Sequence, residues 1–175
     1  LSAEETLKTI QSLYEKKLCS YPRVDTTFLP TDVYPKIEGI LKGLKVYSSI
    51  TAPLIGKSIR KSKKVFNDKK VTDHHAIIPT GQNPGSGLTY NEKMVYDLIT
   101  KRFIAAFYPD CTVSNTTVKG QANTVLFRTS GKQILDPGWR IVYGKDTNSD
   151  PDDNIMPDFV KGEKGPHKPI LEEKS

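Results

Sequence analysis

Residues 19–30 read CSYPRVDTTFLP, in which a tyrosine, a proline and an arginine stand next to one another. The ring of Pro22 crowds the residue before it, so Tyr21 is expected to be extended and not helical. Side chains two residues apart on an extended segment point to the same side. The phenol of Tyr21 and the guanidinium of Arg23 are therefore predicted to face the same space.

This pair of side chains suits phosphoryl transfer. A phenol has a pKa of about 10, so only about one part in a thousand is phenolate at pH 7. A nearby cation favours the phenolate, and a guanidinium can hold two oxygens of a phosphate. Tyr21 is therefore a candidate nucleophile toward phosphorus, with Arg23 as its phosphate-binding partner. The alternative is a half-buried tyrosine packed at a turn beside a surface arginine.

The connector lies between two predicted helices, and a third helix follows. Residues 1–18 begin with a capping box, Ser2 and Glu5, and have an apolar stripe at Leu7, Ile10, Tyr14 and Leu18. A second helix is predicted from Thr31 or Asp32, with its stripe at Val33, Ile37, Ile40, Leu41 and Leu44. The third follows a second capping box, Thr89 and Glu92, with its stripe at Val95, Leu98, Ile99, Phe103 and Phe107. All three stripes are predicted to face the core.

The sequence pattern changes near residue 111. The segments CTVSNTTVKG, NTVLFRTSG and WRIVYG predict three short strands separated by glycines and polar turns. Prolines, glycines and charges from residue 144 onward predict a loop-like tail. The predicted fold class is α+β, with a mainly helical active-site domain at residues 1–111 and an incomplete β-rich segment with its tail at residues 112–175.

Composition narrows the class of protein. The 175 residues are 36% hydrophobic and 26% charged, which is typical of a soluble globular protein. No apolar run approaches the roughly 20 residues that span a bilayer, and residues 1–18 are too polar for a signal peptide, so a cytoplasmic location without membrane partners is expected. Cys19 and Cys111 show no CxxC spacing, which fits a reducing compartment and argues against structural zinc.

Basic residues are concentrated in one segment. The net charge of +6 favours a polyanionic partner, and residues 56–70 contain seven cations and one acid, Asp68. Backbone phosphates of a nucleic acid are the predicted ligands, and the candidate contacts are Lys57, Arg60, Lys61, Lys63 and Lys64. The alternative is a solvated loop.

A second candidate motif is VTDHHAIIPTG, residues 71–81. Adjacent residues on a strand point to opposite faces, so His74 and His75 are poorly placed to share a metal ion. This spacing argues against a metal-dependent relaxase, and the absence of an HxxR box argues against a tyrosine recombinase. By itself the segment indicates a polar connector with one histidine buried and one exposed.

The two segments together resemble the active-site domain of type IA DNA topoisomerases, particularly the bacterial topoisomerase III branch. The family pattern is S/T-Y-P-R-T/S-D followed by D/A-H-H/E-A-I-x-P-T, and here SYPRVD is followed about fifty residues later by DHHAIIPT. The resemblance extends through YDLITKRFIAAFYP and a segment with Phe127, Gly131, Gly138 and Trp139. It covers most of the chain.

The resemblance implies a role for each matching residue. Tyr21 would attack a backbone phosphorus and leave a 5′-phosphotyrosine with a free 3′-hydroxyl, while Arg23 would hold the scissile phosphate. His74 aligns with the family's active-site histidine, and His75 with a less constrained position. Val24 departs from the family, which has Thr or Ser there, and valine lacks the hydroxyl.

The resemblance also implies parts that this chain does not supply. Type IA enzymes bind Mg²⁺ in a Toprim domain, and no metal ligand is predicted here. The chain is expected to be a fragment of a DNA topoisomerase that passes strands without ATP, to need the remaining domains of that enzyme, and to be inactive alone. The runner-up is a non-catalytic module that binds single-stranded nucleic acid with Tyr21 stacked on a base. A third possibility is an interaction domain with incidental charge.

Overall fold

The computed structural model describes residues 1–144 and 156–165, and its fold class is α+β, as predicted. The elements in chain order are α1 (Ala3–Glu15), α2 (Ile37–Gly43), α3 (Ser48–Thr51), α4 (Tyr90–Ala105), β1 (Thr112–Ala122) and β2 (Val125–Asp136), with 3₁₀ segments at Thr31–Lys36, Lys45–Tyr47, Asp68–Lys70 and Gly138–Tyr143. Residues 156–165 form no helix or strand, and the rest of the predicted tail lies outside the described residues. None of the described helices is long and apolar enough to cross a bilayer.

Both predicted capping boxes are present. At the start of α1, the Ser2 hydroxyl accepts from the backbone N–H of Glu5 (3.1 Å), and the Glu5 carboxylate accepts from the N–H of Ser2 (2.6 Å). At the start of α4, Thr89 and Glu92 make the same reciprocal pair at 3.3 and 2.8 Å. Each box satisfies two N–H groups that the first helical turn leaves without intrahelical partners.

Two apolar clusters form the core. The larger lies among α2, its preceding 3₁₀ segment and the C-terminal half of α4, and contains Leu29, Val33, Ile37, Leu41, Leu44, Phe66, Ile78, Phe103, Ile104, Ala105, Phe107, Tyr108 and Val142. The smaller joins the end of α1 to the first half of α4, and contains Leu13, Leu18, Cys19, Val95 and Tyr96. Each fully buried aliphatic side chain stabilises the fold by about 1.5–3 kcal/mol. The second helical stripe is confirmed except that Ile40 is only partly buried.

The stripes predicted for the first and third helices are partly wrong. Leu7 and Tyr14 are 40% and 39% exposed, and Leu13 is the buried residue of α1. In α4, Leu98 is 59% exposed, whereas Tyr96, Thr100 and Ile104 are buried. The reason is that α1 and α4 pack against each other through faces rotated from those that spacing alone selected.

The β segment is a two-stranded antiparallel hairpin formed by β1 and β2. The third predicted strand, WRIVYG, is wrong, because Gly138–Tyr143 forms a 3₁₀ helix. Gly138 has a φ of +49°, and a Cβ there would lie 2.6 Å from the carbonyl oxygens of Pro109 and Asp110. The N–H of Trp139 also donates to Pro109 O (3.0 Å), so this close approach turns the chain back onto the end of α4 instead of extending the sheet.

Candidate active site around Tyr21

The end of α1 directs the chain toward the candidate nucleophile. Lys17 has a φ of +60°, and the N–H groups of Leu18 and Lys17 donate to Leu13 O (2.9 Å) and Tyr14 O (2.8 Å). This is the Schellman arrangement, in which a left-handed residue ends a helix and reverses the chain. The contact between buried Leu13 and Leu18 accompanies it. As a result, Tyr21 folds back against the last turns of α1.

Hydrogen bonds hold the tyrosine segment against the histidine segment. The N–H of Ser20 donates to Ile78 O (2.9 Å), and the N–H of Thr80 donates to Leu18 O (3.1 Å). The Ser20 hydroxyl accepts from the N–H of Ile78 (2.9 Å) and lies 3.4 Å from Ala76 O, to which it donates. Two sequence motifs more than fifty residues apart are thereby joined in a fixed register.

This pairing brings the ring of Tyr21 into contact with two other rings. The ring centroids of Tyr21 and His74 are 4.5 Å apart with an angle of 38° between the planes. On α1, the ring of Tyr14 lies 5.5 Å from that of Tyr21 and is nearly perpendicular to it, at 86°. Tyr21 is half-buried. The phenol and the imidazole that the sequence motifs single out are therefore direct neighbours.

Arg23 and His74 line one shallow polar groove beside Tyr21. The complete lining is Arg23, Val24, Asp25, Thr72, Asp73 and His74. Arg23 is exposed and forms no ion pair with another residue in the part of the chain that the structure describes. Its guanidinium is thus available to a phosphate, and Val24 contributes a half-buried methyl surface to the same groove.

The neighbouring thiol is not a competing nucleophile. Cys19 is buried, two residues before Tyr21, and its sulfur contacts Ile10 O at 3.8 Å. Burial raises the pKa of the Cys19 thiol to about 11, so the thiol is protonated at neutral pH. Cys19 and Cys111 are both free cysteines.

The two adjacent histidines have different surroundings. His74 is exposed beside Tyr21, whereas His75 is half-buried and its Nδ1 lies 2.7 Å from Ala76 O. The described residues contain no group of three or more His, Cys, Asp or Glu side chains that could hold a metal ion. The interpretation of the motif as a polar connector expected one histidine buried and one exposed; His74 is exposed, but His75 is only half-buried.

The five predicted DNA contacts are all exposed but do not share one environment. Arg60 and Lys64 both pair with Asp110, each at 3.3 Å, and these contacts hold the pKa of Asp110 below its usual value. Lys61 lies over the ring of Tyr34, 5.2 Å from its centroid. Lys61 and Lys63 line a groove with Lys69, and Lys57 lines a separate groove near the end of α4.

Sequence reasoning missed three residues of this region. Ser20 fixes the pairing of the two motifs, Tyr14 contacts the candidate nucleophile, and Asp110 neutralises part of the basic segment. The helical spacing of Tyr14 suggested only a core position. Nothing in the local sequence of Asp110 indicates partners about fifty residues away.

Comparison with known proteins identifies relatives along the whole chain. A family model described as DNA topoisomerase matches residues 1–175. DNA topoisomerase 3 of Bacillus licheniformis is 37% identical over 169 residues, and that of Bacillus subtilis is 38% identical over 170 residues. Each alignment covers 93% of this chain and 23% of the relative. The chain therefore spans about a quarter of the length of these curated relatives.

Proposed function

Since this chain belongs to the DNA topoisomerase family, in its bacterial type IA branch, we propose that it supplies the nucleophilic half of a site that breaks and rejoins one DNA strand. The observation that carries the proposal is the contact between Tyr21 and His74, 4.5 Å apart at the edge of a groove that also contains Arg23. Two motifs that are distant in sequence meet there. They bring together a candidate nucleophile, Tyr21, a permanent cation, Arg23, and a ring that can form hydrogen bonds, His74.

The proposed reaction is a transesterification. The phenolic oxygen of Tyr21 attacks a backbone phosphorus, the new P–O bond forms, and the bond from phosphorus to the 3′ oxygen breaks. The phenol loses its proton and the leaving 3′ oxygen gains one, giving a 5′-phosphotyrosine and a 3′-hydroxyl. One ester replaces another, so rejoining by the reverse step needs no ATP, and strand passage occurs while the strand is open.

Arg23 and His74 have separate roles in this scheme. The guanidinium of Arg23 holds the non-bridging phosphate oxygens and stabilises the charge that they carry in the transition state. His74 lies against the ring of Tyr21 and orients the phenol or the phosphate by hydrogen bonding. Val24 offers no hydroxyl to DNA at the position where the family has Thr or Ser.

The family's magnesium has no place among these residues. Type IA enzymes bind Mg²⁺ through a Toprim domain, where it assists phosphoryl transfer. The described part of this chain has no group of three or more His, Cys, Asp or Glu side chains that could hold the ion, and the roles proposed for Tyr21, Arg23 and His74 are those of the side chains alone. Because type IA enzymes use that domain, we expect this chain alone to form no covalent adduct and the complete enzyme to require its Toprim domain.

The test is Tyr21→Phe in the full-length enzyme, assayed for covalent attachment to a 3′-labelled single-stranded oligonucleotide, whose label stays on the protein-linked fragment, and for relaxation of supercoiled DNA. We expect both activities to be abolished while affinity for the oligonucleotide stays within about twofold, because only the attacking oxygen is removed. Tyr90→Phe is the matched control, since Tyr90 is exposed at the start of α4 and its loss of a hydroxyl should change neither activity.

The outcome separates catalysis from binding. A Tyr21→Phe enzyme that still forms the covalent adduct would overturn the proposal. A wild-type enzyme that binds the oligonucleotide strongly but never forms an adduct would instead favour the second candidate, a non-catalytic module for single-stranded DNA. The observation that supports this second function is the exposed groove containing Lys61, Lys63 and Lys69.

A further inference from the structure

We infer that Tyr14 is a positioning residue for Tyr21, acting through contact between the two aromatic rings. The inference rests on the proposed function of Tyr21. Tyr14 lies on α1, outside both sequence motifs, and its ring centroid is 5.5 Å from that of Tyr21. Perpendicular ring pairs at this separation are attractive because the positive edge of one ring faces the negative face of the other.

The placement of Tyr14 is fixed from two directions. Ser12 on α1 and Lys16, the residue that caps its C-terminus one turn later, both donate to the Glu92 carboxylate on α4, at 2.6 and 2.5 Å. Tyr14 lies between them in sequence, so its side chain leaves the opposite face of the helix. Helix α1 is thus held to α4 by one face and presents Tyr14 to Tyr21 with the other.

The reversal at the end of α1 completes the arrangement. The left-handed Lys17 turns the chain, and Ser20 pairs with Ile78. As a result, the Tyr21 ring lies beside the Tyr14 ring, with their centroids 5.5 Å apart. His74 occupies another side of the Tyr21 ring at 4.5 Å. With both neighbours in place, the Tyr21 ring has fewer orientations, so its phenol spends a larger fraction of the time in one position beside His74.

The partial exposure of Tyr14 distinguishes this role from core packing. A core tyrosine is expected to be buried, whereas 39% of Tyr14 remains accessible to solvent. Its hydroxyl has no hydrogen-bond partner among the described residues. The ring is therefore the part of Tyr14 that acts on Tyr21, and the hydroxyl is dispensable.

The experiment compares Tyr14→Phe with Tyr14→Leu in the full-length enzyme. Single-turnover cleavage of a labelled oligonucleotide gives the rate, and a titration with the same oligonucleotide gives the Kd. We expect Tyr14→Phe to cleave within about twofold of wild type, and Tyr14→Leu to cleave about two- to tenfold more slowly with an unchanged Kd. Tyr90→Leu, which removes an exposed tyrosine from another helix, should leave both quantities unchanged.

Each alternative result would contradict the inference about Tyr14 in a different way. Loss in Tyr14→Phe equal to that in Tyr14→Leu would show that the hydroxyl acts, and wild-type rates in both would show that the ring contact is irrelevant. A weaker Kd for Tyr14→Leu would make Tyr14 a DNA contact, which also overturns the inference. Tyr21→Phe is measured in parallel to distinguish the two proposals. If Tyr21→Phe still cleaves DNA, the proposed function itself is wrong. If Tyr21→Phe is inactive, the proposed function stands, and the rates of the two Tyr14 variants test the role of Tyr14.

Discussion

The Ser20 hydroxyl joins two segments that sequence alone treats as separate. It accepts from the N–H of Ile78 at 2.9 Å, and Ile78 is buried. We predict that Ser20→Ala lowers the free energy of unfolding by about 1–3 kcal/mol, because it leaves this N–H without its partner. Urea denaturation followed by the fluorescence of Trp139, the single tryptophan, measures the change.

Ser49→Ala serves as the control for Ser20→Ala. Ser49 is exposed on α3, and we expect its replacement to change stability by less than about 0.5 kcal/mol. If the two variants are equally stable, the Ser20 hydroxyl does not hold the segments together. If Ser20→Ala is destabilised, its cleavage rate in the full-length enzyme should fall as well, since Tyr21 follows directly.

At the scale of single residues, local chemistry selected candidate side chains more readily than it predicted how they meet. Tyr21 and Arg23 were selected from Pro22 and extended geometry, and His74 from resemblance. The contact of Tyr14 with Tyr21 depends on the left-handed turn at Lys17. A lysine in that conformation carries no sequence signal comparable to glycine, so the return of the chain was not foreseen.

At the scale of helices, Glu92 ties α1 to α4. Its side chain is 6% exposed, and hydrogen bonds from Lys16, Ser12 and Thr89 lower the pKa of Glu92 to about 2. An unfolded glutamate has a pKa of about 4.3, so these contacts stabilise the fold above that pH. Their stabilisation is lost as the pH falls from about 4.3 toward 2.

We predict that Glu92→Gln lowers the free energy of unfolding by about 1–3 kcal/mol at pH 7 and by clearly less at pH 3. Lys16 is partly exposed, so solvent screens the ion pair and the lower part of this range is expected. Urea denaturation at the two pH values measures both differences. Equal destabilisation at pH 7 and pH 3 would mean that the charge of Glu92 is not involved.

The exposed pair of Glu4 and Lys8 on α1 provides the control. Both side chains are largely exposed, and their contact spans one helical turn at 2.8 Å. We expect Glu4→Gln to change stability by less than about 0.5 kcal/mol at either pH. If Glu4→Gln destabilised the protein more than Glu92→Gln, burial of the carboxylate would not explain how much it contributes to stability.

The starts of α1 and α4 were predicted well because a capping box is a local signal, whereas the second helix, expected from Thr31 or Asp32, is a 3₁₀ segment at Thr31–Lys36 and becomes α-helical only at Ile37. Ser2 with Glu5 and Thr89 with Glu92 form within four residues, so no tertiary information is needed. The WRIVYG segment failed for the opposite reason. Its β-branched and aromatic residues suit a strand, but the close approach of Gly138 to Pro109 and Asp110 determines its conformation.

At the scale of the whole molecule, Asp110 separates the cations of the basic segment, residues 56–70, into those that pair with its carboxylate and those that do not. Arg60 and Lys64 pair with this carboxylate, whereas Lys61 and Lys63 line an open groove. We predict that Lys61→Ala with Lys63→Ala weakens binding of single-stranded DNA and reduces its salt dependence by about 0.7 log units per lost contact. Titrations of a labelled oligonucleotide at several salt concentrations measure the slope.

Arg60→Ala with Lys64→Ala is the matched double variant. It also removes two cations, but Asp110 already offsets part of their charge, so we expect a smaller change in slope. Equal changes in both double variants would show that Asp110 leaves the pair available to DNA. An unchanged slope in the Lys61 and Lys63 variant would identify the segment as a solvated loop. The net charge of the sequence predicted a polyanionic partner, but it could not indicate which cations of the basic segment pair with Asp110.

The hairpin of β1 and β2 has a consequence for the behaviour of this chain in solution. Within the described residues the sheet has only these two strands, so the outer edge of β1 faces no further strand there, and Val125, Leu126 and Leu135 are exposed. Open edges beside apolar side chains favour self-association of identical chains. Lys119 stands directly opposite Arg128 across the ladder, and their shared positive charge opposes the approach of a second hairpin. Concentrated salt screens that repulsion, so aggregation of this chain should increase with ionic strength.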